Sequence, residues 1–268
     1  MDLQRAQVLI TGGSEGIGYG LAERFIKSGS RVMITGRNIE KLERATHALP
    51  GLEFFTNDIS QPEERETLAK HIQQTMPGLN VLINNAGIQR RIALTVDNAP
   101  WSERQQEIDT LLSGPVHMNH LLVPLLIQGG RKGVLVNVTS GGAYIPQVFA
   151  PLYSTCKAAL HHYTIILREA LQETNCRVVE LIPPAVQTRL AGPGTNHGVM
   201  LDEFCDAVFR TLISSDKTEI GFGQTAELEV AISGRPLGEL FQTLSSRFPV
   251  EKYPRKSESE TERDVTAE

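Results

Sequence analysis

The order of apolar runs constrains this chain more than any single residue does. Short, β-branched runs alternate with segments whose apolar residues recur at helical spacing, and the alternation continues to about residue 222. Strands are predicted at Gln7–Ile10, Arg31–Arg37, Leu52–Asp58, Asn80–Ile83, Val134–Val138, Arg177–Ile182 and Glu219–Phe222. Leu21, Ala22, Phe25 and Ile26 mark the inner face of the first helix, and Leu42 and Ala45 that of the second, which Asn38 caps. Ser60 and Glu63 flank Pro62 in a capping-box pattern that opens the third helix. Longer helices are predicted over Ser102–Gln128, through Tyr153 and Lys157 to Gln172, and over Asp202–Ile213. A strand that returns to its own sheet through a helix returns parallel, so the expected class is α/β, a doubly wound parallel sheet of about seven strands with helices on both faces. No linker or repeat divides the pattern. One domain is expected over 1–250, with a loop at about 188–202 that closes over substrate, and the charged tail 251–268 is expected to be disordered.

At 268 residues the chain can bury a sizeable core. Its net charge of −5 and the lack of a basic cluster argue against nucleic acid as a partner. No apolar run approaches the roughly 20 residues that cross a bilayer, and no signal-peptide core precedes the first strand, so a cytoplasmic protein without a membrane partner is expected. Cys156, Cys176 and Cys205 are odd in number and far apart, which reads as reduced thiols and not as a disulfide frame or zinc site. The seven histidines show no metal-ligand spacing, and His161 and His162 are read as structural.

The first turn reads Thr11-Gly12-Gly13-Ser14-Glu15-Gly16-Ile17-Gly18. Glycines at 12, 16 and 18 remove the Cβ atoms that would keep a phosphate from the backbone, and the following helix points its N-terminus at the anion. The spacing G-x-x-x-G-x-G differs from the G-x-G-x-x-G fingerprint, and a ligand-free tight turn has the same composition. Its position between first strand and first helix favours a nucleotide.

A second cluster lies between Val138 and Lys157. Tyr153 and Lys157 are four residues apart and share one helix face. Ser140, on the preceding loop, can reach the same point. A free phenol titrates near ~10, and an adjacent ammonium favours its ionised form, so the trio combines a proton donor, its activator and a hydrogen-bond donor.

These two stretches, with Asn84-Asn85-Ala86-Gly87 after the fourth strand and Tyr153-x-x-x-Lys157, resemble the short-chain dehydrogenase/reductase family over residues 7–225. The segments Y-S-T-C-K-A-A-L and E-L-I-P-P-A-V-Q-T resemble its DltE-like oxidoreductases. The resemblance implies a single-domain Rossmann fold and an NAD(P)-dependent interconversion of a carbonyl and an alcohol. It implies that Thr11 to Gly18, with Gly12, Ser14, Gly16, Ile17 and Gly18, wrap the cofactor pyrophosphate. Asp58 would bind the adenine amino group with Ile59 against the ring, and Asn84, Ala86 and Gly87 would line the adenine ribose, Asn84 also bracing the sheet. Tyr153 would exchange the proton, Lys157 would bind the nicotinamide ribose and lower the phenol pKa, and Ser140 would bind the substrate oxygen. Pro183, Val186 and Thr188 would contact the carboxamide. Arg37, where an acidic residue would select NAD(H), favours NADP(H), while Glu15 in the glycine loop opposes a 2′-phosphate and leaves NAD(H) possible.

One position departs from the family. The asparagine that holds a water beside the lysine is replaced by Leu111, with Asp109, Thr110 and Ser113 as nearby polar substitutes. A dinucleotide-binding sensor with weak or no turnover is therefore the competing reading. The substrate pocket is expected from Ile145 to Phe149, residues near Ile88 to Ile92 and the 188–202 loop. The apolar stripes on the two long helices, with the resemblance, imply a homodimer or homotetramer acting on a small carbonyl or alcohol.

Overall fold

The computed structural model describes residues 5–226 apart from 93, 95, 96, 129, 130, 146, 148 and 192–197, so the charged tail and the middle of the 188–202 loop lie outside the described residues. Seven strands form one sheet: β1 Gln7–Thr11, β2 Arg31–Gly36, β3 Leu52–Thr56, β4 Val81–Asn84, β5 Gly133–Val138, β6 Cys176–Ile182 and β7 Glu219–Gly221. The spatial order is β3-β2-β1-β4-β5-β6-β7 and every pairing is parallel. The order reverses between β1 and β4, which opens a crevice at the carboxyl ends of the strands.

Both sheet faces are covered. Val8, Ile10, Val32 and Ile34 point to one side, where they meet Leu21 and Phe25 of α1 (Gly16–Lys27), Leu42 of α2 (Ile39–Ala48) and Phe204 and Val208 of α7 (Leu201–Ser214). The alternate residues Leu9, Met33, Leu82 and Leu135 point to the other side. There they meet Leu68 and Ile72 of α3 (Pro62–Thr75), Met118 and Leu122 of α5 (Gly114–Gln128) and Leu167 of α6 (Pro151–Ala170). Period-two side chains on strands buried from both sides explain why the runs are almost uninterruptedly apolar.

Three local expectations change. Asn38 caps α2 by accepting from Lys41 N at 2.8 Å as predicted, but α3 begins from Gln61 without a side-chain cap, and Glu64 instead accepts from Asp58 N at 2.6 Å. The single helix expected over Ser102–Gln128 is α4 (Trp101–Ile108), a π-helical turn (Asp109–Ser113) and α5. By length and composition this 28-residue helical stretch is apolar enough to cross a membrane, which corrects the reading that no such run exists. Its residues Met118, Leu122, Val123 and Leu126 are buried in the core against the sheet.

Candidate functional site

Ser140, Tyr153 and Lys157 converge at the carboxyl end of β5 and line one cavity of about 650 Å³. Proline at the first position of α6 starts that helix, and two residues later Tyr153 faces inward with Lys157 one turn beyond it. The trio is 7, 4 and 8 % exposed at Tyr153, Lys157 and Ser140. Ser140 Oγ accepts from Gly142 N at 3.1 Å, which closes the turn Gly141–Ala143, and its hydroxyl is near enough to the Tyr153 phenol to favour the ionised form. Lys157 Nζ donates to the Val138 carbonyl at 2.6 Å and lies 5.7 Å from the Tyr153 ring centroid.

The electrostatics differ from expectation. Burial brings the Lys157 ammonium down to about 8. Burial, with the carboxylate of Glu107 adding to it, pushes the Tyr153 phenol above its ordinary value, and the Ser140 hydroxyl opposes them. Lys157 is buried beside the phenol. Its ammonium is turned to the Val138 carbonyl, which is its one protein acceptor among the described residues.

Leu111 sits in the π-helical turn, wholly buried in a small cluster with Ala150, Tyr153 and Cys156. π turns inside α-helices concentrate at functional sites, and here the turn presents an apolar side chain to Tyr153. None of the three polar neighbours replaces it. Asp109 is engaged with Gln105 and Ser113, and Thr110 Oγ1 donates to Gln106 O at 2.7 Å. Glu107, four residues before Leu111, was not foreseen. It is 1 % exposed, accepts from Arg90 N at 3.2 Å, and burial raises its carboxyl. In a helix that reads W-S-E-R-Q-Q-E-I, nothing in the sequence separates this acid from its exposed polar neighbours.

A second unforeseen group braces the serine loop. Glu180, wholly buried in the middle of β6, accepts from Thr139 Oγ1 at 2.6 Å and from Tyr144 OH at 2.9 Å, and its other oxygen is 2.8 Å from His161 Nδ1. Burial alone would push its carboxyl up; these hydrogen bonds overcome that and hold it low. Thr139 and Tyr144 bracket the turn that carries Ser140, so the network fixes the serine from both sides. His161 is structural, as read. A lone acid within the run V-V-E-L-I marks the position in the sequence.

Beyond the trio the cavity continues into a second lobe of about 370 Å³, sharing Ile17, Asn85, Gly87, Thr188 and Leu190 with the first. Gly12, Ser14, Gly16, Ile17, Arg37, Asp58, Ile59, Ala86, Gly87 and Thr188 line this lobe, while Pro183, Val186 and Thr188 line the first. Gly12 and Gly16 have φ of +65 and +61°, and a Cβ on Gly12 would stand 2.6 Å from Ala86 Cα. That loop needs glycine. Three expected contacts are structural instead. Thr11 is buried and its Oγ1 accepts from Asn85 N and Ala86 N at 3.0 and 3.1 Å. Gly18 packs beneath the loop, where a Cβ would lie 2.5 Å from Asn85 Nδ2. Asn84 turns inward and donates to Asn119 Oδ1 at 2.6 Å and Asn137 Oδ1 at 2.9 Å, bracing the sheet as expected but not lining the cleft. Its neighbour Asn85 lines both lobes.

The donor set suits a phosphorylated dinucleotide. Both amide atoms of Asn57, 1 % exposed in the second lobe, lack a protein partner among the described residues and would be satisfied by a ligand. Glu15 is neutralised by Lys41 at 2.8 Å and Arg189 at 3.5 Å, so it no longer opposes an anion. With Arg37 loosely paired to Asp58 at 3.8 Å, the lobe holds three cations and two carboxylates.

The profile of the short chain dehydrogenase family matches residues 6–197. Over 190 residues (71 % of this chain and 75 % of the relative) the sequence is 38 % identical to the uncharacterized oxidoreductase DltE of Bacillus subtilis. It is 31 % identical to a serine 3-dehydrogenase of Rhizobium radiobacter over 68 % of this chain and 72 % of the relative. Among solved structures, a short chain dehydrogenase from Burkholderia cenocepacia in complex with NADP superposes with a TM-score of 0.76, at 24 % identity, over 93 % of this chain and 100 % of that one. One from Sphingobium yanoikuyae in complex with NADPH gives 0.77, at 22 % identity, over 93 and 98 %.

Proposed function

The chain belongs to the short-chain dehydrogenases, and from that premise we propose that it interconverts a carbonyl and an alcohol on a small organic substrate, with NADP(H) as the hydride carrier. The observation that carries the reading is the convergence of Ser140, Tyr153 and Lys157 on a cavity continuous with a glycine-lined, cation-bearing lobe. When bound, the nicotinamide supplies or accepts the hydride. The glycine loop and the N-terminus of α1 would hold its pyrophosphate, Arg37 and Lys41 the 2′-phosphate, and Lys157 its ribose. Ser140 holds the substrate oxygen against the phenol. Tyr153 then gives that oxygen its proton in reduction or removes it in oxidation. The relative named for serine dehydrogenation and the two neighbours named with NADP and NADPH are compatible with this assignment.

NADPH and NADH fluorescence titrations, followed by oxidation of each with a panel of ketones and aldehydes, test the reading. Tighter NADPH binding is expected. Arg37→Ala should raise the KM for NADPH about tenfold and leave that for NADH little changed, as expected for loss of one charge-assisted phosphate contact. Tighter binding of NADH by the wild type would overturn the choice of cofactor. The pH dependence follows from Lys157. Its ammonium favours the phenolate left behind as Tyr153 protonates the substrate, so reduction should be sustained below pH 8 and fall as the lysine loses its proton above about 8. A kcat/KM profile flat to pH 9.5 would contradict that role.

Burial of Leu111 against Tyr153 favours a second reading, a dinucleotide-dependent sensor with little turnover. Cofactor binding without turnover of any carbonyl would select it. We further propose that the exposed side of α6, with Ile166 55 % exposed, joins α5 in a homodimer or homotetramer, which sedimentation would test.

A further inference from the structure

The cofactor's charges are answered in the second lobe, but the substrate lobe holds a positive charge that neither cofactor nor chemistry uses. Among the described residues two cations, Lys157 and Arg91, line it, and no aspartate or glutamate does, in a chain whose net charge is −5. Lys157 is committed to the Val138 carbonyl and the reacting groups. Arg91 lies at the open side, with Ile145 59 % and Phe149 46 % exposed beside it.

The contrast with its neighbour is informative. Arg90 is held by Asp97 at 3.1 Å and Glu103 at 3.4 Å, as the nearby Arg104 is by Asp97 at 3.1 Å. Arg91 has no carboxylate partner among the described residues. It is nevertheless positioned: Nε donates to Gln89 Oε1 at 3.0 Å, and the guanidinium carbon stands 5.2 Å over the Phe149 ring. Gln89 is in turn 3.5 Å from Gln147 Oε1 through its own amide nitrogen, so Arg91, Gln89 and Gln147 form a polar strip on the wall of the cavity that also contains Tyr153. Because Nε is taken, the free edge is the pair of terminal nitrogens, whose fork matches the two oxygens of a carboxylate. A guanidinium set on an aromatic face with one edge already bonded has less freedom to lose when it takes up an anion.

We propose that Arg91 is a specificity-determining residue and that the substrate is an oxo or hydroxy acid whose carboxylate binds its terminal nitrogens while the carbonyl or hydroxyl lies at Ser140 and Tyr153. This rests on the oxidoreductase reading above and specifies its substrate class. In reduction the nicotinamide hydride goes to the carbonyl carbon and the Tyr153 proton to its oxygen, giving the hydroxy acid and the oxidised dinucleotide; the carboxylate is unchanged.

The test compares 3-oxobutanoate, 4-oxopentanoate and 5-oxohexanoate with their methyl esters, using NADPH and the full chain. At least one acid is expected to show a kcat/KM ten- to a hundredfold above its ester, carried mainly by KM. Arg91→Met should bring that ratio to near one, and Arg91→Lys should restore part of it, because a point charge replaces the fork. Esters turned over as well as acids, or a ratio that survives Arg91→Met, would overturn the inference and leave the oxidoreductase reading standing. A phosphomonoester analogue such as dihydroxyacetone phosphate preferred over every acid would likewise overturn the carboxylate assignment. No turnover of acid, ester or phosphomonoester would overturn the oxidoreductase reading and this inference with it.

Discussion

Tyr153→Phe is expected to reduce carbonyl turnover by about a thousandfold or more, while NADPH affinity changes by less than about tenfold. The ring of Tyr153 packs with Leu111, Ala150 and Cys156, and phenylalanine keeps those contacts. What is lost is the phenol hydroxyl beside Ser140, and with it the acid of the trio placed to protonate a substrate oxygen. Ser140 is bonded to the Gly142 amide and keeps its geometry, and Lys157 keeps its bond to Val138, so the effect should fall on kcat and not on folding. Steady-state rates with the best carbonyl, beside fluorescence titration of NADPH, check both halves. Turnover within tenfold of the wild type would remove Tyr153 from the chemistry. A wild type that binds NADPH but turns over nothing would favour the sensor.

The elements and the trio could be read from the chain because each depends on local pattern. Parallel strands buried on both faces must be apolar throughout, so Val8 to Ile10 or Val134 to Val136 admit few other readings. Tyr153 and Lys157 share a helix face by spacing alone. What could not be read depends on which side of the sheet a residue falls. Asn84 and Asn85 are chemically identical neighbours, yet the first ends β4 facing the core and the second opens into the cleft. Likewise Glu15 counted against a phosphate until the fold brought Lys41 and Arg189 to it from 26 and 174 residues away. Glu180 is a single charge within an apolar run and Glu107 one of several on a polar helix, and the partners of both are set by tertiary contacts. The π-helical turn leaves no trace in a periodicity close to 3.6, so one uninterrupted helix was expected through Asp109–Ser113.

Leu111→Asn should act in opposite directions on stability and on rate. Leu111 is wholly buried among apolar side chains, and its Cδ2 would lie 3.4 Å from a Cβ placed on Gly87 at the edge of the cleft. Asparagine removes that packing and brings in an amide whose partners are not preformed, so unfolding free energy should fall by about 2–4 kcal/mol. The shorter side chain also leaves room for a water, and a water bonded to the new amide has the polar partner it needs to stay. Lys157 has three donors and one protein acceptor among the described residues, so it could bond such a water and, through it, pass a proton outward after Tyr153 has given its own to the substrate. If reprotonation of the phenol limits turnover in the wild type, kcat should rise, by about tenfold on the scale of positioned proton transfers, with a smaller solvent deuterium isotope effect. Chemical denaturation and steady-state kinetics in light and heavy water measure the two effects separately. A less stable variant with unchanged kcat and isotope effect would show that the wild-type protein already has another proton path. Glu107, buried four residues before Leu111 and close enough to raise the Tyr153 phenol, would then be the next group to replace.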